Sequence, residues 1–110
     1  MSHTHYSATG GIAGDNNGTI EGCESSGSVS SSSYAGGIAG GNDGTITNCT
    51  SNSNDISAIN TADSSIAYMG GFIGYNNAAT TLTGNRDNSG MPYSIGLDIR
   101  LNLYAPSNNI

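Results

Sequence analysis

Lysine and tryptophan are absent from this 110-residue sequence, phenylalanine occurs once, and the only arginines are Arg86 and Arg100. With eight acidic residues the net charge is −6. A surface that tracks a phosphate backbone needs several clustered cations, so the sequence predicts no nucleic-acid partner. A polybasic contact with an anionic membrane fails for the same reason. No apolar run approaches the ~20 residues that span a bilayer, and no membrane insertion is expected. Charged residues are only 9% of the chain, too few for a segment kept open by self-repulsion. Apolar residues are 35%, poor material for a conventional core. The chain must therefore fold around a thin interior.

What is present is repetition. Gly10-Gly11-Ile12-Ala13-Gly14-Asp15-Asn16-Asn17-Gly18-Thr19-Ile20-Glu21-Gly22-Cys23 returns as Gly36-Gly37-Ile38-Ala39-Gly40-Gly41-Asn42-Asp43-Gly44-Thr45-Ile46-Thr47-Asn48-Cys49. A looser third copy runs from Gly70-Gly71-Phe72-Ile73-Gly74-Tyr75-Asn76-Asn77 to Thr81-Leu82-Thr83-Gly84-Asn85, with Ala78-Ala79 inserted. The double glycine recurs after 26 and then 34 residues, and the extra eight fall around Asn54 to Ser65 as a polar loop. Within a repeat, Ile12, Ile38 and Phe72 should point inward after the glycines, followed by Ile20, Ile46 and Leu82, then Cys23 and Cys49, with Val29 and Ile56 as a third inward point. Asn16, Asn42 and Asn76 mark a turn, where asparagine tolerates left-handed backbone and bonds its own main chain. Stacked copies can also form amide ladders. So much glycine, with β-branched residues between turn signals, excludes a helix.

These spacings predict an all-β chain: a short parallel β-solenoid, or β-helix, of about three coils. Residues 1–9 form an entry strand or tail, 10–90 the repeats, and 91–110 a C-terminal strand and tail. Ile95-Gly96-Leu97-Asp98-Ile99-Arg100-Leu101-Asn102-Leu103 has an apolar residue at every odd position, the clearest amphipathic strand in the sequence. An open stack end leaves backbone unpaired, so this strand caps its own stack or is exchanged with a neighbour.

The pattern Gly-Gly-Ile-Ala-Gly-x-Asn-x-Gly-Thr-Ile-x-x-Cys, followed by Ser26-Gly27-Ser28-Val29, resembles the GLUG repeat over about residues 8–85. That family occurs in large bacterial surface proteins, including adhesin-like proteins and non-catalytic regions of IgA-cleaving metallopeptidases. This sequence departs from it in having Ile12-Ala13 and Ile38-Ala39 where Leu-Val is usual, Glu24 and Thr50 where an aromatic follows the cysteine, and Asn85 in place of the third cysteine. The resemblance implies an extracellular or cell-surface β-solenoid module. It does not imply protease activity, since no His-Glu-x-x-His occurs. The first six residues hold no apolar signal segment, so the extracellular character of the rest predicts that Met1 begins a trimmed chain.

Chemistry is sparse. His3 and His5 would share a strand face but lack a third ligand of metal spacing. Gly10 to Asp15 touches on a calcium-roll pattern, yet the Asp becomes Gly41 and Tyr75 in later copies. Glu21 and Glu24, candidates for paired carboxylates, become Thr47 and Thr50. Ser–His–Asp catalysis would have to take its histidine from the N-terminal tail. The Thr19, Thr45 and Thr81 column is too short for an ice-binding array. No enzyme activity, metal or cofactor is expected. Cys23 and Cys49 occupy one repeat position, so a disulfide between them and a ladder of two reduced thiols both fit. Tyr34 and Tyr68 both precede the double glycine by two residues. With Tyr75, and Tyr93 beyond them, they are candidate ligand contacts, or else they stack only to join repeats. The function expected is structural: a rigid adhesin-like module whose partners are the rest of a larger surface protein, a glycan or a host surface protein. The alternative is a self-assembling fibre or shell subunit whose partners are other copies of itself.

Overall fold

A computed structural model describes residues 8–31, 34–58, 68–101, 105–108 and 110. The described chain is all-β apart from a single 3-10 turn. His3, His5 and the end of the 95–103 strand lie partly or wholly outside the described residues.

Each repeat supplies four strands in the same order. The first gives β1 (Ala8–Gly10), β2 (Ala13–Asn16), β3 (Thr19–Glu21) and β4 (Glu24–Ser31). The second gives β5 (Tyr34–Gly36), β6 (Ala39–Asn42), β7 (Thr45–Thr47) and β8 (Thr50–Ala58). The third gives β9 (Tyr68–Gly70), β10 (Ile73–Asn76), β11 (Thr81–Thr83) and β12 (Arg86–Asp87). The tail adds β13 (Ile95–Asp98), a 3-10 turn at Ile99–Leu101, and β14 (Ala105–Ser107).

Strands pair across repeats, never within one, so like positions become neighbours. Four sheets result: β1-β5-β9, β14-β13-β10-β6-β2, β11-β7-β3 and β12-β8-β4. All pairs are parallel except β13 with β14, which makes the second sheet mixed. Ala13 lies beside Ala39, which lies beside Ile73, then Ile95. Ile20 lies beside Ile46, then Leu82. Val29 lies beside Ile56. Each column runs one side chain deep through the interior, which is how a sequence so poor in apolar residues buries any.

Two groups of core residues result. Ile20, Ile38, Ala39, Ile46, Cys49, Phe72, Ile73 and Ile95 form the larger, with Ile110 packed on it. Val29, Ala35 and Ile56 form the smaller, with Met91 against it. Full burial of one such aliphatic side chain contributes about 1.5–3 kcal/mol. Ile12 departs from expectation and is 41% exposed, while its equivalents Ile38 and Phe72 are fully buried. Ile12 sits in the first repeat, so a neighbour covers it from one side only.

Glycine is needed where one repeat crosses close to the next. A Cβ at Gly37 would overlap both Ser51 Oγ and the carbonyl oxygen of Gly71. A second requirement lies at the corner after the third strand, where Gly22, Asn48 and Gly84 have φ of 65°, 54° and 69°. The left-handed role expected of Asn16, Asn42 and Asn76 thus belongs to Asn48, the one non-glycine with positive φ among the described residues. The three expected asparagines end strands instead. Their side chains still bond local backbone, with Gly18 N donating to Asn16 Oδ1 and Gly44 N to Asn42 Oδ1, both at 3.2 Å. They also form the anticipated ladder: Asn16 Nδ2 to Asn42 Oδ1 at 2.9 Å, and Asn42 Nδ2 to Asn76 Oδ1 at 2.9 Å.

The insertion differs from its expected position. Residues 54–58 belong to β8, because Ile56 seats beside Val29 in the small core. The register slips by one residue between Ser26 and Ser28, at Gly27 with φ 99°, where β8 accommodates a residue more than β4. The rest of the insertion, 59–67, lies outside the described residues.

The amphipathic run 95–103 is not one strand. β13 stops at Asp98, whose carboxylate accepts from Arg100 N and turns the chain. β13 lies parallel on β10 of its own chain, so it caps the third repeat. β14 then returns antiparallel along β13.

Candidate functional site

Tyr34 and Tyr68 begin β5 and β9 at paired positions, so the register places one ring over the other. Their centroids are 5.6 Å apart with an interplanar angle of 23°. Tyr75 comes from β10 in the neighbouring sheet and meets the same cluster: Tyr34 and Tyr75 lie 5.3 Å apart, tilted by 33°. All three rings are half-buried. The structure therefore unites the three candidate tyrosines through two different strand positions. Tyr93 does not extend their column. Its carbonyl oxygen accepts from Gly71 N, three residues past Tyr68 in register, and its side chain is 47% exposed elsewhere on the surface.

Beside the tyrosines runs a surface groove of about 280 Å³ lined by Asp15, Tyr34, Gly41, Tyr75 and Asn77. Its form follows from one column of the second sheet, in which Asp15 pairs with Gly41 and Gly41 with Tyr75. The middle position has no side chain, and the spacing between strands is about 4.8 Å. The strands that carry the carboxylate and the aromatic ring are thus two spacings apart, with the notch between them. Asp15 leans over the glycine: a Cβ there would sit 2.5 Å from its Oδ1. Asn77 is fixed at the rim, its Nδ2 donating to Asp43 Oδ1 at 2.8 Å while its own Oδ1 accepts from Ala78 N. Neither arginine lines the groove. The sequence held the signal for this notch, since Asp15, Gly41 and Tyr75 occupy one repeat position. It was legible as an objection to calcium, whereas the gap created by the glycine becomes visible only once the strands are stacked.

The amide ladder ends in an ionised group. Asn76 Nδ2 donates to Asp98 Oδ1 at 3.2 Å. Asp98 is fully buried and also accepts from Arg100 Nε at 3.0 Å, Arg100 Nη2 at 2.8 Å and Ser107 Oγ at 2.6 Å. Burial alone would raise its pKa. The hydrogen bonds from Arg100, Ser107 and Asn76, with the guanidinium charge, outweigh burial and hold it at about 2. Asp98 escaped sequence reading because the step from Asn76 to Asp98 is 22 residues, shorter than either repeat spacing.

Cys23 and Cys49 are stacked free thiols. Cys23 N donates to Cys49 Sγ at 3.4 Å, and Cys49 N donates to Asn85 Oδ1 at 2.9 Å. Asn85 therefore replaces the third cysteine in kind, as the acceptor for the backbone of the preceding repeat. Burial pushes the Cys49 thiol pKa up. Among the described residues no group of three or more His, Cys, Asp or Glu could hold a metal ion. Glu24 of the proposed carboxylate pair is exposed and accepts from Asn52 Nδ2 at 2.7 Å.

Residues 31–57 match the family model of the GLUG motif, so the chain carries that motif in its second repeat. The match runs from the last residue of β4 to Ser57 near the end of β8, one full set of the four-strand pattern. Neither a curated protein nor a solved structure matches the chain.

Proposed function

We propose that the chain is a short parallel β-solenoid serving as a non-catalytic module of an extracellular or cell-surface, adhesin-like protein. In this reading the stack is a rigid support and the tyrosine groove is its contact surface. Repeat-to-repeat pairing in four sheets supports the solenoid, and the GLUG motif at residues 31–57 supports a repeat module. The observation that carries the contact reading is the convergence of Tyr34, Tyr68 and Tyr75 beside an open groove. Aromatic stacking used only to join repeats needs neither a third ring from another sheet nor a notch.

The test is direct. The chain and its Tyr75→Ser variant are passed over immobilised glycans and host surface-protein ectodomains. Binding that Tyr75→Ser abolishes, with unchanged circular dichroism, supports the contact reading. Binding that survives the substitution, or no binding at all, overturns it. Light scattering on the full chain separates the rival: a monomer is expected, and a concentration-dependent series of larger species would favour self-assembly.

A further inference from the structure

We propose that the notch over Gly41 takes a cationic side chain, a guanidinium or ammonium, presented by a partner polypeptide. The proposal rests on reading the groove as a contact surface and names what it contacts. Its two walls differ in chemistry. Tyr75 offers an aromatic ring, and Asp15, two strands away, offers a carboxylate. A planar cation between them stacks on the ring and donates charge-assisted hydrogen bonds to the carboxylate. The floor is the Gly41 backbone, over which the Asp15 carboxylate leans toward the ring.

The surrounding charge points the same way. Asp43 lies beside the rim, hydrogen-bonded to Asn77. The chain has no lysine, Arg100 is engaged with Asp98, and no arginine lines the groove. A net charge of −6 draws cations toward the whole molecule, and the aromatic wall selects where one settles. A neutral sugar would use the ring and donate hydroxyls to the carboxylate, but it would gain no charge pairing from the acidic surroundings.

The experiment uses the full chain labelled with nitrogen-15 and two probes, an acetylated tri-arginine amide and the neutral trisaccharide maltotriose. With the peptide, saturable shifts are expected at the Gly41 and Asn77 amides, weakening as salt is raised. Asp15→Asn should weaken peptide binding about ten-fold, and Tyr75→Leu by a similar factor. Glu24→Gln removes the same charge on another sheet and should leave affinity within about two-fold. Equal losses in Asp15→Asn and Glu24→Gln would show diffuse charge attraction and overturn the proposal. Shifts at Gly41 and Asn77 with maltotriose and none with the peptide would overturn the cation while leaving the groove a contact surface. Shifts with neither probe would remove both readings.

Discussion

Asn42 passes its amide hydrogen to Asn76 at the same 2.9 Å at which it receives one from Asn16. Asn42 is 1% exposed, and its two bonds join all three repeats. Replacing Asn42 with Ala removes both at once, leaving Asn16 without an acceptor and Asn76 without a donor along the ladder. The expected loss is about 2–4 kcal/mol. Chemical denaturation of the wild type and variant measures it, and a loss below about 0.5 kcal/mol would mean that the ladder is ornamental.

Acid should expose the role of Asp98. Its folded pKa of about 2 lies below the ordinary 3.8, so the unfolded chain binds the proton first as pH falls. The stabilisation is therefore complete above about pH 4 and is lost as pH falls toward 2, a total of about 2 kcal/mol. Asp98→Asn should lower stability at neutral pH and flatten the curve between pH 4 and 2. Thermal melts across that range test it, and parallel wild-type and variant curves would contradict the assignment.

Two glycines separate geometry from composition. Gly37→Ala places a methyl group against Ser51 and the backbone of Gly71, and should prevent folding or cost several kcal/mol. Gly18→Ala meets nothing within 4 Å and should fall within about 0.5 kcal/mol of wild type. Melting temperatures of the two variants decide the matter.

The two thiols should react unequally. Cys49 is fully buried with its pKa raised, whereas Cys23 is half-buried in the first repeat. Brief iodoacetamide treatment of the native chain should alkylate Cys23 and spare Cys49, and denaturant should make both react. Mass spectrometry of the peptides reads the pattern, and native labelling of Cys49 at the rate of Cys23 would contradict it.

The all-β character and most of the interior were legible because a repeated sequence in register places like on like. Ile20 beside Ile46 follows from repeat spacing alone, whereas Val29 meets Ile56, 27 residues on, only through the slip at Gly27. Tyr34 over Tyr68 follows from the spacing too. Features that depend on contact between different positions did not. Tyr75 meets Tyr34 only through the angle between two sheets, and Asp15 matters because Gly41 beside it is empty. Strict alternation from Ile95 predicted an unbroken strand, but it gives no weight to hydrogen bonding. Asp98 caps the amide of Arg100 and ends β13 where hydrophobic pattern would have continued it. Ile12 matches Ile38 letter for letter but not in burial, because repetition does not register which copy stands at the margin.

The carboxylate of Asp98 also gives the stack a direction. Being ionised, it can only accept, so Asn76 must turn its amide nitrogen toward it, Asn42 must follow, and Asn16 last. Every amide is thereby oriented from the tail end. Among the described residues, Asn16 Oδ1 receives only the backbone hydrogen of Gly18, where Asn42 Oδ1 receives a side-chain hydrogen as well. A further turn joined ahead of Ala8 would find a waiting acceptor, whereas one placed beyond Asp98 would find no hydrogen offered. Along this one column, the ladder is extensible from one side and stopped on the other.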